Sequence, residues 1–297
     1  MKDSVSICLD PASKLSLAVA DCTSAAREAA RGHLSGPAAS AALAEALACA
    51  AVAGAESSAQ EETVSFRADC PEGPVGGFLA EAANGGTTLR GYTKKKILDE
   101  FDGMGAPPPR KLYGANATVE TIRSVPGKIL SSGVTAIQIP AKGSFPAAAL
   151  AALYGVSLQR KAAVEAFASA GDDGEPVMAR AALLECPPDG DADAFEAAKA
   201  AFDSGAVRKA LASVSSLRTL LGKCGLARAE IRETRPLSFA CRCSLERARN
   251  MIAALPAEDR AELAAAGKSV DIYCHFCGKL WQVAPDDPVF AKREECK

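Results

Sequence analysis

The 297-residue chain is poor in aromatic residues, in histidine and in net charge of either sign. Aromatic residues make up 5% of the sequence, with one tryptophan, and there are only 2 histidines. Basic and acidic residues nearly balance, 34 against 36, for a net charge of -2. This balance excludes a strongly basic nucleic-acid coat and gives no electrostatic reason to bind an anionic membrane. Two histidines also give little support to a hydrolytic Ser/His/Asp or Cys/His site.

Nucleotide-binding motifs and long apolar runs are missing as well. No G-K-[ST] follows the glycine-rich stretch 73–77, and no G-x-G-x-x-G opens a helix, so we expect no ATP site. Charge or glycine interrupts every apolar run before it reaches the roughly 18 residues of a membrane span. The first residues carry charge and Pro11 where a signal peptide needs an apolar stretch. We therefore expect a cytoplasmic protein without a membrane partner.

Alanine and cysteine, by contrast, are abundant. Hydrophobic residues make up 48% and charged residues 24%, as in soluble globular proteins, and the length predicts about two domains. The 11 cysteines are many for a cytoplasmic chain, but their number is odd and the chain is too long for a small disulfide scaffold. Closely spaced cysteines in such a chain indicate metal or redox chemistry.

Residues 1–186 predict an α+β domain with helices and a mixed, largely antiparallel sheet. Apolar and polar residues alternate on both sides of Asp10, which predicts a hairpin, and Pro37 and Gly54 bound an alanine-rich helix. A second long helix is expected from Pro146 to about Ala170. Further strands are predicted at 63–70, 75–83, 87–93, 134–140 and 177–186.

Residues 187–230 predict a helical linker. The stretch 187–192 (PPDGDA) breaks the composition, and helical patterns follow at roughly 193–203 and 206–222. Because these helices carry few aromatic residues, we expect them to pack weakly against the rest of the protein.

Residues 231–297 contain two close pairs of cysteines, Cys241 with Cys243 and Cys274 with Cys277. Four thiolates in two pairs can surround one Zn²⁺ tetrahedrally, and C-x-x-C-G is a common zinc knuckle. The C-x-C pair needs a local turn of the backbone to bring both of its side chains to one ion. We therefore predict one Zn²⁺ per chain, held by these four residues.

The segment between the two cysteine pairs predicts two helices, and the second pair lies in a predicted short hairpin. Ser244 is the expected N-cap of the first helix, and Pro256 opens the second, which Gly267 ends. Trp281, Phe276 and a few leucines are the expected core. A domain this small rarely gains more than about 3–5 kcal/mol from its core, whereas a structural zinc adds an apparent 10–16 kcal/mol, roughly, near neutral pH. The metal is therefore expected to decide whether this domain folds.

Two interpretations of the cysteine site remain open. The zinc can be purely structural, or the site can be a redox switch in which oxidation closes Cys241 with Cys243 and Cys274 with Cys277 and so removes every ligand. A third possibility, from another functional class, is a zinc-ribbon-like module that binds nucleic acid or a partner protein. Residues 231–297 carry nearly equal numbers of basic and acidic residues, which disfavours nucleic acid. A thiol oxidoreductase would need C-x-x-C to open a helix.

Residues 236–283 resemble the heat shock protein 33 family of redox-regulated holdase chaperones. The resemblance lies in F-x-C-x-C-S-x-E-R, in a spacer with L-P-x-E-x-x-x-E-L, and in C-x-F-C-G followed by an aromatic residue. Weaker similarity covers 73–92 and 153–167. The resemblance to this family implies a substrate-binding core at 1–186, a metastable linker at 187–230 and a zinc-binding redox-switch domain at 231–297.

The resemblance also implies a non-enzymatic mechanism. The reduced, zinc-bound protein would be inactive. Oxidation would form the two disulfides, release the zinc, unfold the C-terminal parts and allow unfolding client proteins to bind without ATP. Whether the oxidised protein forms a homodimer is left open.

The remaining histidines and cysteines are expected to be structural. We expect His275 to be a turn side chain rather than a ligand and His33 to lie at the surface, and Cys296 could form adventitious disulfides. The single cysteines in apolar segments are predicted to be small core residues: Cys8, Cys22, Cys49, Cys70, Cys186 and Cys224.

Overall fold

The computed structural model describes residues 3–57, 59–101, 103–104, 107–213 and 216–290. The chain divides into two compact units, Met1–Ala240 and Cys241–Lys297. The second unit begins later than the predicted boundary at 231. The reason is a strand at Glu230–Pro236, which pairs with the first strand of the chain and so belongs to the N-terminal unit.

The strands of the described residues, numbered along the chain, are β1 (Ser4–Leu9), β2 (Ser16–Asp21), β3 (Thr63–Asp69), β4 (Gly77–Ala83), β5 (Thr88–Thr93), β6 (Asn116–Val125), β7 (Lys128–Gln138), β8 (Lys161–Ala170), β9 (Pro176–Cys186), β10 (Glu230–Pro236), β11 (Ser238–Phe239), β12 (Val270–Tyr273) and β13 (Leu280–Val283). The helices are α1 (Thr23–His33), α2 (Pro37–Gly54), α3 (Pro109–Tyr113), α4 (Phe145–Ala152), α5 (Ala192–Asp203), α6 (Ala206–Leu211), α7 (Leu217–Lys223), α8 (Leu245–Ala253) and α9 (Ala257–Ala265). A π-helical turn follows α4 at Leu153–Ser157, and 3₁₀ turns lie at Asp99–Phe101 and Pro288–Phe290.

The N-terminal unit contains two sheets. The first has the strand order β10-β1-β2-β9-β8 and is antiparallel throughout; the second has the order β11-β5-β4-β3-β6-β7 and is antiparallel except where β11 joins β5. This arrangement confirms the predicted α+β fold.

Helix α2 lies between the two sheets, where it contacts β8 and β9 of the first and β4 and β5 of the second. Its sequence is apolar on every side apart from Ser40 and Glu45, which is the pattern of a helix buried all round. By length and composition it could cross a membrane, but 83% of it is buried inside the protein. Its many alanines let both sheets approach the helix closely, so α2 forms the centre of the core.

Several predicted elements are confirmed. The hairpin β1–β2 turns at Asp10 and Pro11, α2 runs from the predicted proline to the predicted glycine, and strands occur close to the five other predicted positions. Strand β6 and helix α1 were not predicted.

The helix expected from Pro146 to Ala170 is wrong in its second half. The chain leaves the helix at the π-helical turn, Gln159 adopts a positive φ of 53°, and Lys161–Ala170 forms β8. Alanine favours helices intrinsically, but pairing with β9 along the whole strand overrides that preference here.

The linker residues form three helices that cover the outer face of the first sheet. Phe195, Phe202 and Leu221 are buried there against Leu17 and Leu184 of β2 and β9. The expectation of weak packing rested on the low aromatic content. In the structure, two of the few aromatic residues are placed at the contact with the sheet.

Polar contacts hold this linker segment as well. Arg180 of β9 pairs with Asp21 at 2.8 Å and donates a hydrogen bond to the carbonyl of Leu211 at the end of α6, at 3.2 Å. The described linker helices are thus docked by both apolar and charged contacts.

The described part of the C-terminal unit consists of α8 and α9, the hairpin β12–β13 and the 3₁₀ turn Pro288–Phe290. The two helices and the hairpin were predicted. Its buried apolar residues are Ala248, Ile252, Val283 and Phe290, with Trp281 and others packed at the edge. Phe290, rather than the predicted Phe276, belongs to this cluster. The core of the unit is small.

Candidate metal centre

Two turns bring the four cysteines together. Cys241 and Cys243 lie outside regular secondary structure, just before α8. The Ser244 side chain caps that helix by accepting a hydrogen bond from the Arg247 N–H at 3.1 Å, as predicted. The cap fixes where α8 starts, and therefore where the preceding C-x-C segment ends.

Cys274 and Cys277 lie in the turn between β12 and β13. The N–H of Gly278 donates to the Cys274 carbonyl at 2.8 Å, and the Cys274 N–H donates to the Lys279 carbonyl at 2.9 Å. Gly278 has a positive φ of 69°, which a side chain would strain. The glycine of C-x-x-C-G is needed for this turn.

The four sulfur atoms form one compact cluster. All four Sγ atoms lie within 4.8 Å of one another; Cys241 and Cys274 are 3.6 Å apart, and Cys243 and Cys277 are 3.4 Å apart. Zinc–sulfur bonds of about 2.3 Å in a tetrahedron place the sulfurs about 3.8 Å apart. The donor set and its spacing therefore fit a single tetrahedral metal ion.

Three of the thiols have shifted pKa values. Partial burial opposes ionisation of Cys241, but hydrogen bonds from the Cys243 N–H and from the thiols of Cys274 and Cys277 outweigh it and hold the pKa of Cys241 below its usual value. Burial raises the pKa of Cys274 and of Cys277. Because burial opposes ionisation at these sites, a cation among the sulfurs is needed for all four to bind as thiolates.

Neighbouring side chains frame the cluster without joining it. His275, inside the C-x-x-C turn, is exposed and is not part of the metal-ligating group found among the described residues. The ammonium of Lys279 lies 4.0 Å from the centre of the Trp281 ring. The sequence did not predict this contact or the place of Phe290 in the core. Both depend on how the C-terminal unit packs, and no sequence motif marks them.

The other cysteines are placed as core residues, with one exception. Burial raises the pKa of the Cys22 and Cys49 thiols well above the usual value and that of Cys70 and Cys224 to about 12, so these thiols stay protonated. Cys8 is also buried. Cys186 is only half-buried, contrary to the prediction, and Cys296 lies outside the described residues.

His33 was predicted to lie at the surface, but the structure buries it. It is 8% exposed, and its Nε2 lies 2.9 Å from the Gly91 carbonyl in β5. The residue ends α1, whose inner face is buried, and this helix was not predicted.

Comparisons with known proteins agree with this architecture. The family model described as Hsp33 protein matches residues 3–284. The 33 kDa chaperonin of Symbiobacterium thermophilum is 29% identical over 277 residues, covering 91% of this chain and 90% of that protein. A 33 kDa chaperonin of Thermus thermophilus is 27% identical over 295 residues, covering 92% of this chain and 82% of that protein.

A solved structure shows the same fold. The crystal structure of the 33 kDa chaperonin from Thermotoga maritima, a heat shock protein 33 homologue, superposes with a TM-score of 0.81 at 16% identity and covers 96% of both chains. Together with the match along nearly the whole sequence, and with a four-cysteine cluster able to hold a metal, this leads to one conclusion: the chain belongs to the Hsp33 family of non-enzymatic holdase chaperones.

Proposed function

We propose that this protein is a redox-regulated, ATP-independent holdase that works in the cytoplasm. In the reduced state Cys241, Cys243, Cys274 and Cys277 hold one Zn²⁺, and the protein is inactive. Oxidation pairs Cys241 with Cys243 and Cys274 with Cys277. The protein then binds unfolding client proteins and prevents their aggregation. The observation that carries this proposal is the convergence of four sulfur atoms in a unit with a very small core.

The chemistry of the switch needs a two-electron oxidant such as hydrogen peroxide. In each pair two thiolates together give up two electrons, a sulfur–sulfur bond forms, and the peroxide O–O bond breaks to give two water molecules after it takes up two protons. Once both pairs have closed, none of the four sulfurs remains a thiolate ligand.

The energetic consequence follows from the size of the unit. Its described core cluster contains only four buried apolar side chains, and a core of this kind contributes about 3–5 kcal/mol. When bound, the zinc supplies folding free energy on the order of 10 kcal/mol. The unit that loses its four ligands is therefore expected to unfold.

The client-binding surface is expected to come from the linker and the sheet beneath it. Helices α5, α6 and α7 cover the apolar face that includes Leu15, Leu17 and Leu184. When the C-terminal unit unfolds, we propose that these helices loosen with it, so that apolar surface of residues 187–230 and of the core 1–186 becomes available to unfolding proteins. A homodimer of the oxidised protein remains part of the hypothesis.

The proposal is tested by measuring zinc release and suppression of client aggregation on one sample before and after oxidation. We expect one equivalent of zinc to leave as activity appears. The matched control is Cys186→Ser, which removes a half-buried thiol outside the cluster and should change neither readout. Zinc that leaves without any gain in activity would show that the cluster is only structural.

A further inference from the structure

A cleft on the C-terminal unit contains a buried arginine for which the described residues supply no anion. Arg260 lies in α9 and is 7% exposed. Its Nε atom is buried and has no hydrogen-bond partner among the described residues. Among the described residues up to 290, no carboxylate oxygen lies within 4.0 Å of a guanidinium nitrogen of Arg260, the limit for an ion pair. Within that part of the chain, its positive charge is uncompensated.

The cleft has a volume of about 450 Å³. It is lined by α8, by α9 and by the 3₁₀ turn Pro288–Phe290 with Asp287 before it. Arg249 and Asn250 bring further donors, and Ala253, Pro288 and Val289 form the apolar wall. This combination of an apolar wall with a few convergent polar groups is typical of a small-molecule site.

Among the described residues, one carboxylate lines the cleft, and it is already engaged. Asp287 accepts a hydrogen bond from the Arg249 Nε at 2.8 Å and another from the Val289 N–H at 3.1 Å. It therefore balances Arg249 and leaves Arg260 as the excess positive charge. The cleft is suited to an anion and not to a cation.

A buried guanidinium without an anion is unfavourable, because desolvation is not offset by an attractive partner. The planar fork of donors in arginine matches the oxygens of a phosphate or carboxylate, often with two parallel hydrogen bonds. An oxyanion in the cleft would satisfy the Nε and neutralise the charge at once.

We propose that this cleft binds the phosphate group of a small molecule, either free phosphate or a phosphate monoester, with Arg260 as its main anchor. The site is separate from the four cysteines and does not depend on the redox function. A bound phosphate stabilises the folded C-terminal unit by mass action, since the unfolded segment offers no such site.

The direct test is calorimetric titration of the reduced, zinc-loaded full chain with inorganic phosphate, against sodium chloride at matched ionic strength. Phenyl phosphate forms the second arm. We expect saturable binding of one phosphate per chain. Tighter binding of phenyl phosphate would identify a phosphate monoester as the ligand, and equal binding would identify free phosphate.

Variants separate the cleft from general charge effects. Arg260→Gln should weaken phosphate binding about tenfold or more, since it removes a charged donor pair, and Arg260→Lys should weaken it less. Arg247→Gln removes a charge from the exposed face of α8 outside the cleft and should bind like the wild type. Zinc content reports whether each variant is folded.

Two results would overturn the proposal. The first is the absence of saturable phosphate binding by the wild type, whatever the variants do. The second is equal binding by zinc-loaded Arg260→Gln.

Discussion

Replacing Arg208 by glutamine should destabilise the docking of α6 on the N-terminal core. The Arg208 guanidinium reaches from α6 to Glu45 of α2 and to Glu165 of β8, both at 3.2 Å, and donates a hydrogen bond to the Ala166 carbonyl. It also lies 5.3 Å from the centre of the Phe167 ring. One side chain thus ties the linker helix to two elements of the core.

The size of the effect follows from burial. The Arg208 side chain is 25% exposed and each glutamate side chain 13% exposed, so the substitution leaves two poorly solvated carboxylates facing each other. Breaking a buried pair by removing one partner costs about 3–5 kcal/mol. Burial already raises the pKa of Glu45 to about 7, so this carboxyl can become neutral and relieve part of the loss. We expect a loss at the lower end of that range, about 3 kcal/mol.

Urea unfolding of the reduced, zinc-bound protein measures this loss, and hydrogen exchange of amides in Ala206–Leu211 shows whether α6 opens first. The matched control is Arg228→Gln, which removes an exposed arginine from the same segment. A loss below about 1 kcal/mol, no larger than that of a surface ion pair, would refute the view that Arg208 holds the linker in place.

Further predictions concern pH, disulfide pairing and the single cysteines. Because burial raises the pKa of Glu45 from 4.5 to about 7, the folded state binds this proton more tightly than the unfolded state. Stability should therefore increase as the pH falls from about 8 to about 5, by about 2.5 kcal/mol from this group, and Glu45→Gln should remove this contribution in urea titrations. Peptide mapping of the oxidised protein should find Cys241 linked to Cys243 and Cys274 to Cys277. Pairing of Cys241 with Cys274 or of Cys243 with Cys277, residues 33 or 34 positions apart whose sulfurs are 3.6 and 3.4 Å apart in the reduced cluster, would instead stabilise the unit by about 4 kcal/mol and contradict unfolding. Replacing the six single cysteines together by alanine or serine should preserve activation by oxidant and lower only the melting temperature; a folded variant that no longer responds would place the switch elsewhere.

The sequence predicted best those elements whose ends carry their own signals. Pro37 and Gly54 bound α2, and Ser244 caps α8, because a ring-fixed φ, a flexible glycine and a side-chain acceptor act within one turn of the chain. The four-cysteine cluster was predictable for a similar reason, since two short motifs with fixed spacing determine which side chains converge.

The strand β8 could not be predicted in this way. Its sequence, KAAVEAFASA, is rich in a residue that favours helices, and its extended form depends on pairing with β9. The same holds for Glu230–Pro236, which joins the first sheet through contacts with β1 at the far end of the chain. Long-range pairing of this kind leaves little local trace.

Ion pairs across elements were also beyond local reasoning. Nothing near Arg208 in the sequence indicates that it meets Glu45 and Glu165, and nothing near Arg260 indicates that it is buried in a cleft. Both depend on how helices pack after the backbone has formed.

Oxidation is proposed to unfold the zinc unit, and hydrogen exchange on reduced and oxidised samples of the full chain measures this unfolding. We predict that amides of α8, α9 and the β12–β13 hairpin lose protection when zinc leaves, while amides of α2 stay protected. Equal protection of the C-terminal amides after complete loss of zinc would show that the unit stays folded without its metal and that unfolding is not the switch.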